Sequence, residues 1–440
     1  PRKRIAGPIW TSEPADIKLF VMGCSGSNQR LPDVATQRKN PLTPSEIDQR
    51  IEHSKRSIEF SMGGVSYRYA YVSQRGYYPG ALNKENQDAF FAAPVFGNHG
   101  ANQAFFGVFD GHGKDGHQCA RFAEANLSRE ILAALDRLSS TGATTAAAVV
   151  MQALVAAHLR TNELMHAQTS FEDALSGTTS ISVLIKDRTL FVSNVGDSRA
   201  IIISTAADGR LVARALSSDQ TPYREDERAR CKKTGARVLS YDQIEGLEPI
   251  HENWGNLTLG EEIDEGGDPP RIWSPMGDYP GSAFTRSFGD RVAEECGVFA
   301  EPEISQSTLT PNDKFLIIAS DGVFEFLTNQ MVADEVATHS DPLAACQKVV
   351  KLAYHLWLQY EVRTDDITMI AIFLDDVEEG VPVDTSSFVC EKGGAVADPV
   401  VTLGKIGATP DSIENLPPPP PTLISTDTPP IFGVRLRSSP

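Results

Sequence analysis

Asp110 closes the run "FFGVFD", Asp321 follows "FLIIAS", and Asp365 stands just ahead of "ITMIAIF". Apolar runs of that kind read as central strands, so these acids sit at strand ends. If the ends converge, the carboxylates repel one another. Like charges at contact distance raise each other's pKa, and a partly dry cluster either takes up protons or is neutralised by cations. The donors are oxygens with no thiolate motif among them, which points to Mg²⁺ or Mn²⁺ rather than zinc. A pair of such ions a few ångströms apart would acidify a bridging water into a nucleophile at neutral pH.

The neighbouring residues fit that chemistry without requiring it. Gly111 and Gly322 each follow an acid and leave room for backbone carbonyls or substrate to come close, although a single Asp-Gly pair is an ordinary turn. "KENQDAFF" adds Asp88, the amides Asn86 and Gln87, and the cation Lys84, a set that a hydrated metal pair beside a phosphate would use. "NVGDSRAII" offers Asp197 at what reads as a tight turn between strands, where a capping role is equally open. His112 and His117 lie among glycines, and "HGKDGH" has no metal-binding spacing.

The elements that must position these residues come in blocks. Beta-type runs ("YRYAYVSQ", "AFFGVFD", "SISVLI", "TLFVSNV", "RAIIIS", "KFLIIAS", "ITMIAIFL") recur from about Tyr67. Between them, "ARFAEANLSREILAALDRL" repeats apolar residues at helical spacing, and "DPLAACQKVVKLAYHLWLQY" opens with an Asp-Pro helix start. Blocks rather than strict alternation favour α+β over a parallel α/β fold. The first sixty residues read as a flexible arm with one helix near Ser45 to Arg56. Residues 242–273, acidic and glycine-rich, read as an elaborated surface loop. Order fades after about Asp376, and "LPPPPPT" at Leu416 to Thr422 enforces a polyproline II rod, either a solvated tail or a ligand for a proline-binding partner.

The chain has 440 residues, with 40 basic against 58 acidic ones and a formal charge of −18, which argues against a nucleic-acid-binding surface. Its six cysteines include no CxxC pair, so a reducing compartment is expected. No run approaches the roughly 20 apolar residues that span a bilayer, and a cytoplasmic location follows as the expectation.

Taken in order, "KENQDAFF", "FFGVFDGHG", "SGTTSISVLI", "VGDSRAII", "SSDQTPYREDERAR", "AFTRSFGD", "IIASDGVFEFL" and "TDDITMI" closely resemble the metal-dependent, type 2C serine/threonine protein phosphatases. The likeness spans Tyr67 to Leu374. "QRGYYPGALNKENQDAFF" and "GGDPPRIWSPMGDYPGSAFTRSFGD" look most like a plant and algal branch in which the phosphatase can be joined to cyclic-nucleotide-binding and kinase domains; nothing here resembles a kinase glycine loop. The resemblance implies an αββα sandwich of antiparallel sheets with a metal cleft at one edge. It also implies phosphoprotein substrates, one-step hydrolysis by a metal-activated water, and two Mg²⁺ or Mn²⁺ ions. In that scheme Asp110 bridges the metals, the Gly111 carbonyl binds one, and Asp88, Asp321 and Asp365 complete the coordination. Asp366 falls where the family often has Asn. Asp197 and Glu325 correspond to a weaker third metal site, with Glu in place of the usual Asp. His112 corresponds to the general acid. Gln87 replaces the acid common before the Asp88 position, and Lys84 is the nearest cation to the arginine that often grips phosphate.

The expected organisation is an arm at 1–60, a catalytic domain at 61–378 carrying the 242–273 insertion, and a proline-rich tail at 379–440, in a monomer. "MGCSGS" at Met22 to Ser27 fits myristoylation at Gly23 and palmitoylation at Cys24 if translation starts at Met22, which would attach the protein to a membrane surface. The rival reading is a phosphatase-like domain that binds or scaffolds phosphoproteins without turnover; retention of Asp88, Asp110, Asp321 and Asp365 weighs against it.

Overall fold

The computed structural model describes residues 42–97, 102–139, 146–254 and 269–377, with the paired two-residue strands Pro8–Ile9 and Phe20–Val21. Gly23, Cys24, the proline run and residues 255–268 of the acidic insertion lie outside the described residues.

Two seven-stranded sheets carry the fold. The first orders Phe288–Gly289, Gly177–Thr178, Gln103–His112, Ser180–Lys186, Thr189–Val195 and Glu303–Thr308, with Asp88–Ala93 also paired to Gln103–His112. The second orders Leu211–Ala215, Arg199–Thr205, Asp313–Ala319, Ile367–Val377, Val65–Gln74 and Ile51–His53, with Ile58–Met62 also paired to Val65–Gln74. All of these pairings are antiparallel.

Strand side chains alternate between faces, and here both faces are covered. In Gln103–His112, Phe105 and Phe109 pack with Leu127, Ile131 and Leu154 of the helices Gly116–Ser139 and Ala146–Ala167. The intervening Ala104, Phe106 and Val108 meet Ile202, Ile318 and Ile370 of the second sheet. On the far side, Ile201, Ile317 and Met369 pack under Val349, Val350 and Tyr354 of the helix Pro342–Tyr360. The result is an αββα sandwich, and double burial explains why its strands read as unbroken apolar runs.

The ordered fold starts earlier than an arm ending at residue 60 would allow. A helix does form, but it covers only Pro44–Asp48, capped by Thr43; residues 51–53 and 58–62 are strands, because the edge of Val65–Gln74 takes backbone partners there. Both ends of the supposed surface loop are also structured. Tyr241–Ile244 is helical, and Arg271–Trp273 is the middle strand of a small sheet with Arg237–Leu239 and Pro280–Ser282. Finally, Asp197 is not in a hairpin: Thr189–Val195 belongs to the first sheet and Arg199–Thr205 to the second, so Gly196 to Ser198 crosses between them, with Gly196 at φ +106. Among the described residues no helix is long and apolar enough to cross a membrane.

Candidate active site

The two sheets each bring acids to one edge of the sandwich. Asp88 and Asp110 are direct cross-strand partners in the first sheet. The Asp110 backbone is pinned by Thr179, whose hydroxyl accepts from the Asp110 N–H at 3.1 Å and whose N–H donates to the Asp110 carbonyl at 2.8 Å. Gly111 follows because nothing larger fits: a Cβ there would land on the Gly116 carbonyl oxygen and lie 2.6 Å from that of Gln87.

From the second sheet, Asp321 opens the helix Asp321–Phe324 just after Asp313–Ala319, and Asp365 precedes Ile367–Val377. Contacts between the sheets lock these pieces together. The Ser320 hydroxyl donates to Asp88 Oδ2 at 2.9 Å. Asp366 accepts from the Gly76 N–H at 2.7 Å and from the Gln87 N–H at 2.8 Å, so both of its oxygens tie loops. The Gln87 amide turns to the Gly113 carbonyl at 2.8 Å.

Burial is the main cause of the electrostatics. It raises the Asp88 carboxyl well above its ordinary value, with Asp366 adding to the effect; it does the same to Asp110, with Asp88, Asp321 and Asp365 adding. Asp321 is raised by burial and then by Asp365. Burial likewise raises Asp197 and Glu325, the latter to about 7, and among neighbouring charges Asp321 adds most to each. The expected third pair therefore belongs to the same electrostatic cluster. Asp88 Oδ1 and Asp321 Oδ1 are buried with no hydrogen-bond partner among the described residues. Buried anionic oxygens without partners are costly, and a hard divalent cation is the partner that all-oxygen donors suit.

A second acidic group makes the contrast. Carboxylate oxygens of Asp226, Glu227 and Glu303 lie within 4.8 Å of one another, but arginines answer them: Arg286 and Arg230 contact Glu227 at 2.8 and 2.6 Å, and Arg224 contacts Glu303 at 2.7 Å. Although burial opposes it, these bonds bring Glu227 down to about 2. That cluster is already neutralised by protein; at the sheet edge Arg363 approaches Asp365 at 3.6 Å, but Asp88 Oδ1 and Asp321 Oδ1 have no partner among the described residues.

His112 ends its strand with Nε2 2.5 Å from Asp290 Oδ2, and its ring packs on Phe284. Gly177 makes room for that carboxylate, since a Cβ there would collide with it. His117 instead faces Glu85, at 3.6 Å. The Lys84 ammonium sits over the Tyr78 ring, 3.8 Å from its centroid, and the Tyr78 hydroxyl donates to Asp365 Oδ1 at 2.5 Å. Burial and the adjacent Asp365 hold the phenol above its ordinary value, so it remains a donor.

Sequence reasoning passed over Asp290 and Tyr78. Both lie in quoted segments, "AFTRSFGD" and "QRGYYPGALNKENQDAFF", but their partners are remote in the chain. The nearest local signal is an acid directly after Phe-Gly that adopts φ 49, a left-handed conformation.

Comparison with known proteins gives the family and the fold. The family description "Protein phosphatase 2C" matches residues 80–356. "Probable protein phosphatase 2C 35" of Arabidopsis thaliana is 46% identical over 69% of this chain and 83% of its own length. "Probable protein phosphatase 2C 64" of Oryza sativa subsp. japonica is 32% identical over 71% and 69%. A crystal structure of serine-threonine phosphatase 2C from Toxoplasma gondii has the same fold, with TM-score 0.54 and 18% identity over 74% of this chain and 99% of that one. The chain therefore belongs to the protein phosphatase 2C family of metal-dependent enzymes that remove phosphate from serine and threonine residues of phosphoproteins.

Proposed function

We propose that Asp88, Asp110, Asp321 and Asp365, with the Gly111 carbonyl, hold two Mg²⁺ or Mn²⁺ ions, and that Asp197 and Glu325 support a third, weaker one. The observation that carries this reading is the buried, unpartnered Oδ1 of Asp88 and of Asp321, in a cluster where burial raises the carboxyls of Asp88, Asp110 and Asp321. When bound, the ions would supply Lewis-acid activation of water and neutralise charge on the phosphate.

The remaining work falls to the chain itself. Lys84 stabilises the equatorial phosphate oxygens as a point charge. His112 donates a proton to the departing serine or threonine oxygen, and Asp290 fixes its ring by holding Nε2. Asp366 and Gln87 act as braces, with both Asp366 oxygens and the Gln87 amide committed to backbone groups.

The test is hydrolysis of a phosphoserine peptide by the purified chain with Mn²⁺, with Mg²⁺ and with chelator, beside Asp110→Ala. Metal-dependent turnover lost in the variant is expected; equal rates in chain and variant, or rates indifferent to chelator, would overturn the assignment. For the setting we propose a cytoplasmic monomer with a catalytic domain over 61–378, extended by the strands from Ile51, and with the tail at 379–440 available to a proline-binding partner. Lipidation at Gly23 and Cys24 would add membrane attachment, and mass spectrometry of the native N-terminus tests it.

A further inference from the structure

Tyr78 touches both halves of the machinery described above. Its hydroxyl donates to Asp365 Oδ1 at 2.5 Å, and its ring face carries the Lys84 ammonium at 3.8 Å from the centroid. We propose that Tyr78 is a positioning residue: through its hydroxyl it orients the Asp365 carboxylate for cation binding, and through its ring it holds Lys84 where the phosphate ester must lie. This rests on the metal and phosphate roles given to Asp365 and Lys84.

The loop around Tyr78 is built to keep it in place. The Gly76 N–H donates to Asp366 Oδ1 at 2.7 Å, and Tyr77 and Thr364 exchange bonds, Tyr77 N–H to the Thr364 hydroxyl at 2.7 Å and Thr364 N–H to the Tyr77 carbonyl at 2.9 Å. A Cβ at Gly76 would come 2.7 Å from the Asp365 carbonyl oxygen, so only glycine allows this approach. From the other side, the Arg50 guanidinium donates to the carbonyls of Gly76 at 2.8 Å and Leu82 at 2.7 Å, clamping both ends of the loop. Arg50 lies ahead of the family-matched residues 80–356, so a segment of this chain outside that match braces the site.

Residues that hydrogen-bond a metal-ligating carboxylate fix its orientation, and their loss commonly weakens metal binding. A cation held over an aromatic face keeps its position without giving up its charge to a counter-ion. One aromatic residue can do both only if its hydroxyl and its face meet different partners, as they do here.

The test is calorimetric titration of Mn²⁺ into the purified full chain, with kcat and KM for a phosphoserine peptide at saturating Mn²⁺, for wild type, Tyr78→Phe, Tyr78→Leu, Lys84→Met and the Tyr78→Leu/Lys84→Met pair. Tyr78→Phe keeps the ring and is expected to weaken Mn²⁺ binding by about tenfold to a hundredfold while leaving KM within about twofold. Tyr78→Leu is expected also to raise KM to the Lys84→Met value, and adding Lys84→Met to it should raise KM no further. Wild-type Mn²⁺ affinity in Tyr78→Phe, or a full extra Lys84→Met effect on top of Tyr78→Leu, overturns the proposal. Should Tyr78→Leu fail to fold, the Tyr78→Phe titration alone decides. Asp110→Ala separates the levels: if it abolishes Mn²⁺ binding and Tyr78→Phe does not alter it, the Tyr78 role alone falls, whereas if Asp110→Ala binds Mn²⁺ like wild type, the metal assignment beneath it falls as well.

Discussion

His112 and Asp290 are 178 positions apart in the chain and 2.5 Å apart in space, ring nitrogen to carboxylate oxygen. The aspartate takes a left-handed backbone conformation to reach that position, at φ 49. Its carboxylate fixes which ring nitrogen is engaged and so which one is left for substrate. His112→Gln should lower kcat on a phosphoserine peptide by about 10²–10⁴-fold, the usual worth of general acid catalysis. Loss on p-nitrophenyl phosphate should be much smaller, since that leaving group departs without a proton. Asp290→Asn should show the same substrate asymmetry with a smaller loss. Equal losses on both substrates would remove His112 from the leaving-group step.

Metal-free stability should depend on pH in a defined direction. Asp88, Asp110, Asp321 and Glu325 have folded carboxyls raised above their ordinary values, chiefly by burial. Their contribution is fully present below the unfolded values of 3.8 for Asp and 4.5 for Glu, and is lost as pH rises through the folded ones, about 7 for Glu325. Asp110→Asn should therefore melt higher than wild type at neutral pH without metal, and lose the Mn²⁺-induced rise that wild type shows. At a hundred times its dissociation constant Mn²⁺ should add about 2.7 kcal/mol to wild type. Scanning calorimetry with and without chelator measures both.

Crowding at the bridging position predicts an intolerance that charge does not. Gly111→Ala places a methyl on the Gly116 and Gln87 carbonyls, which are backbone atoms and cannot swing aside. A destabilisation of about 1–3 kcal/mol or more is expected, together with weaker Mn²⁺ binding, although no acid has been removed. Denaturant titration and calorimetry would show the paired losses; a variant as stable as wild type would contradict the packing.

His158 supplies an acid-sensitive element away from the cleft. It is fully buried in Ala146–Ala167, its Nδ1 engages the Leu154 carbonyl at 2.7 Å, and its ring lies on Phe288. Burial lowers it from 6.5 to about 4. The folded chain thus stays neutral there while the unfolded chain takes up a proton, and stability falls as pH drops below 6.5 toward 4. Between pH 7 and 5 this residue should account for about 2 kcal/mol of lost stability. His158→Leu should lose less over that interval than wild type, as read from denaturant midpoints at each pH.

Much of the architecture was legible because double burial writes itself as unbroken apolar runs. "AFFGVFD", "RAIIIS" and "ITMIAIFL" are strands for that reason, and the acids at their ends stood out by contrast. Edge strands were not legible: "IEH" and "IEFSM" leave Glu52 and Glu59 exposed, so they read as part of an arm. Nor could the chain alone say that Val195 and Arg199 belong to different sheets, because a short glycine-containing link serves a hairpin and a crossing equally well. Contacts such as Tyr78 with Asp365, 287 residues apart, leave no local trace at all. Asp366 stood in the right motif, but its occupation by two backbone N–H groups is a property of the assembled loops.

Because Asp88 and Asp110 hang from one sheet and Asp321 and Asp365 from the other, the separation across the cleft is set by the thickness of what lies between the sheets. Phe106, Ile202, Ile318 and Ile370 are in that filling. They act as shims. A trimmed or enlarged side chain there alters the gap that the ions must span, so the tolerance of the catalytic edge is machined in a part of the molecule that no substrate ever reaches.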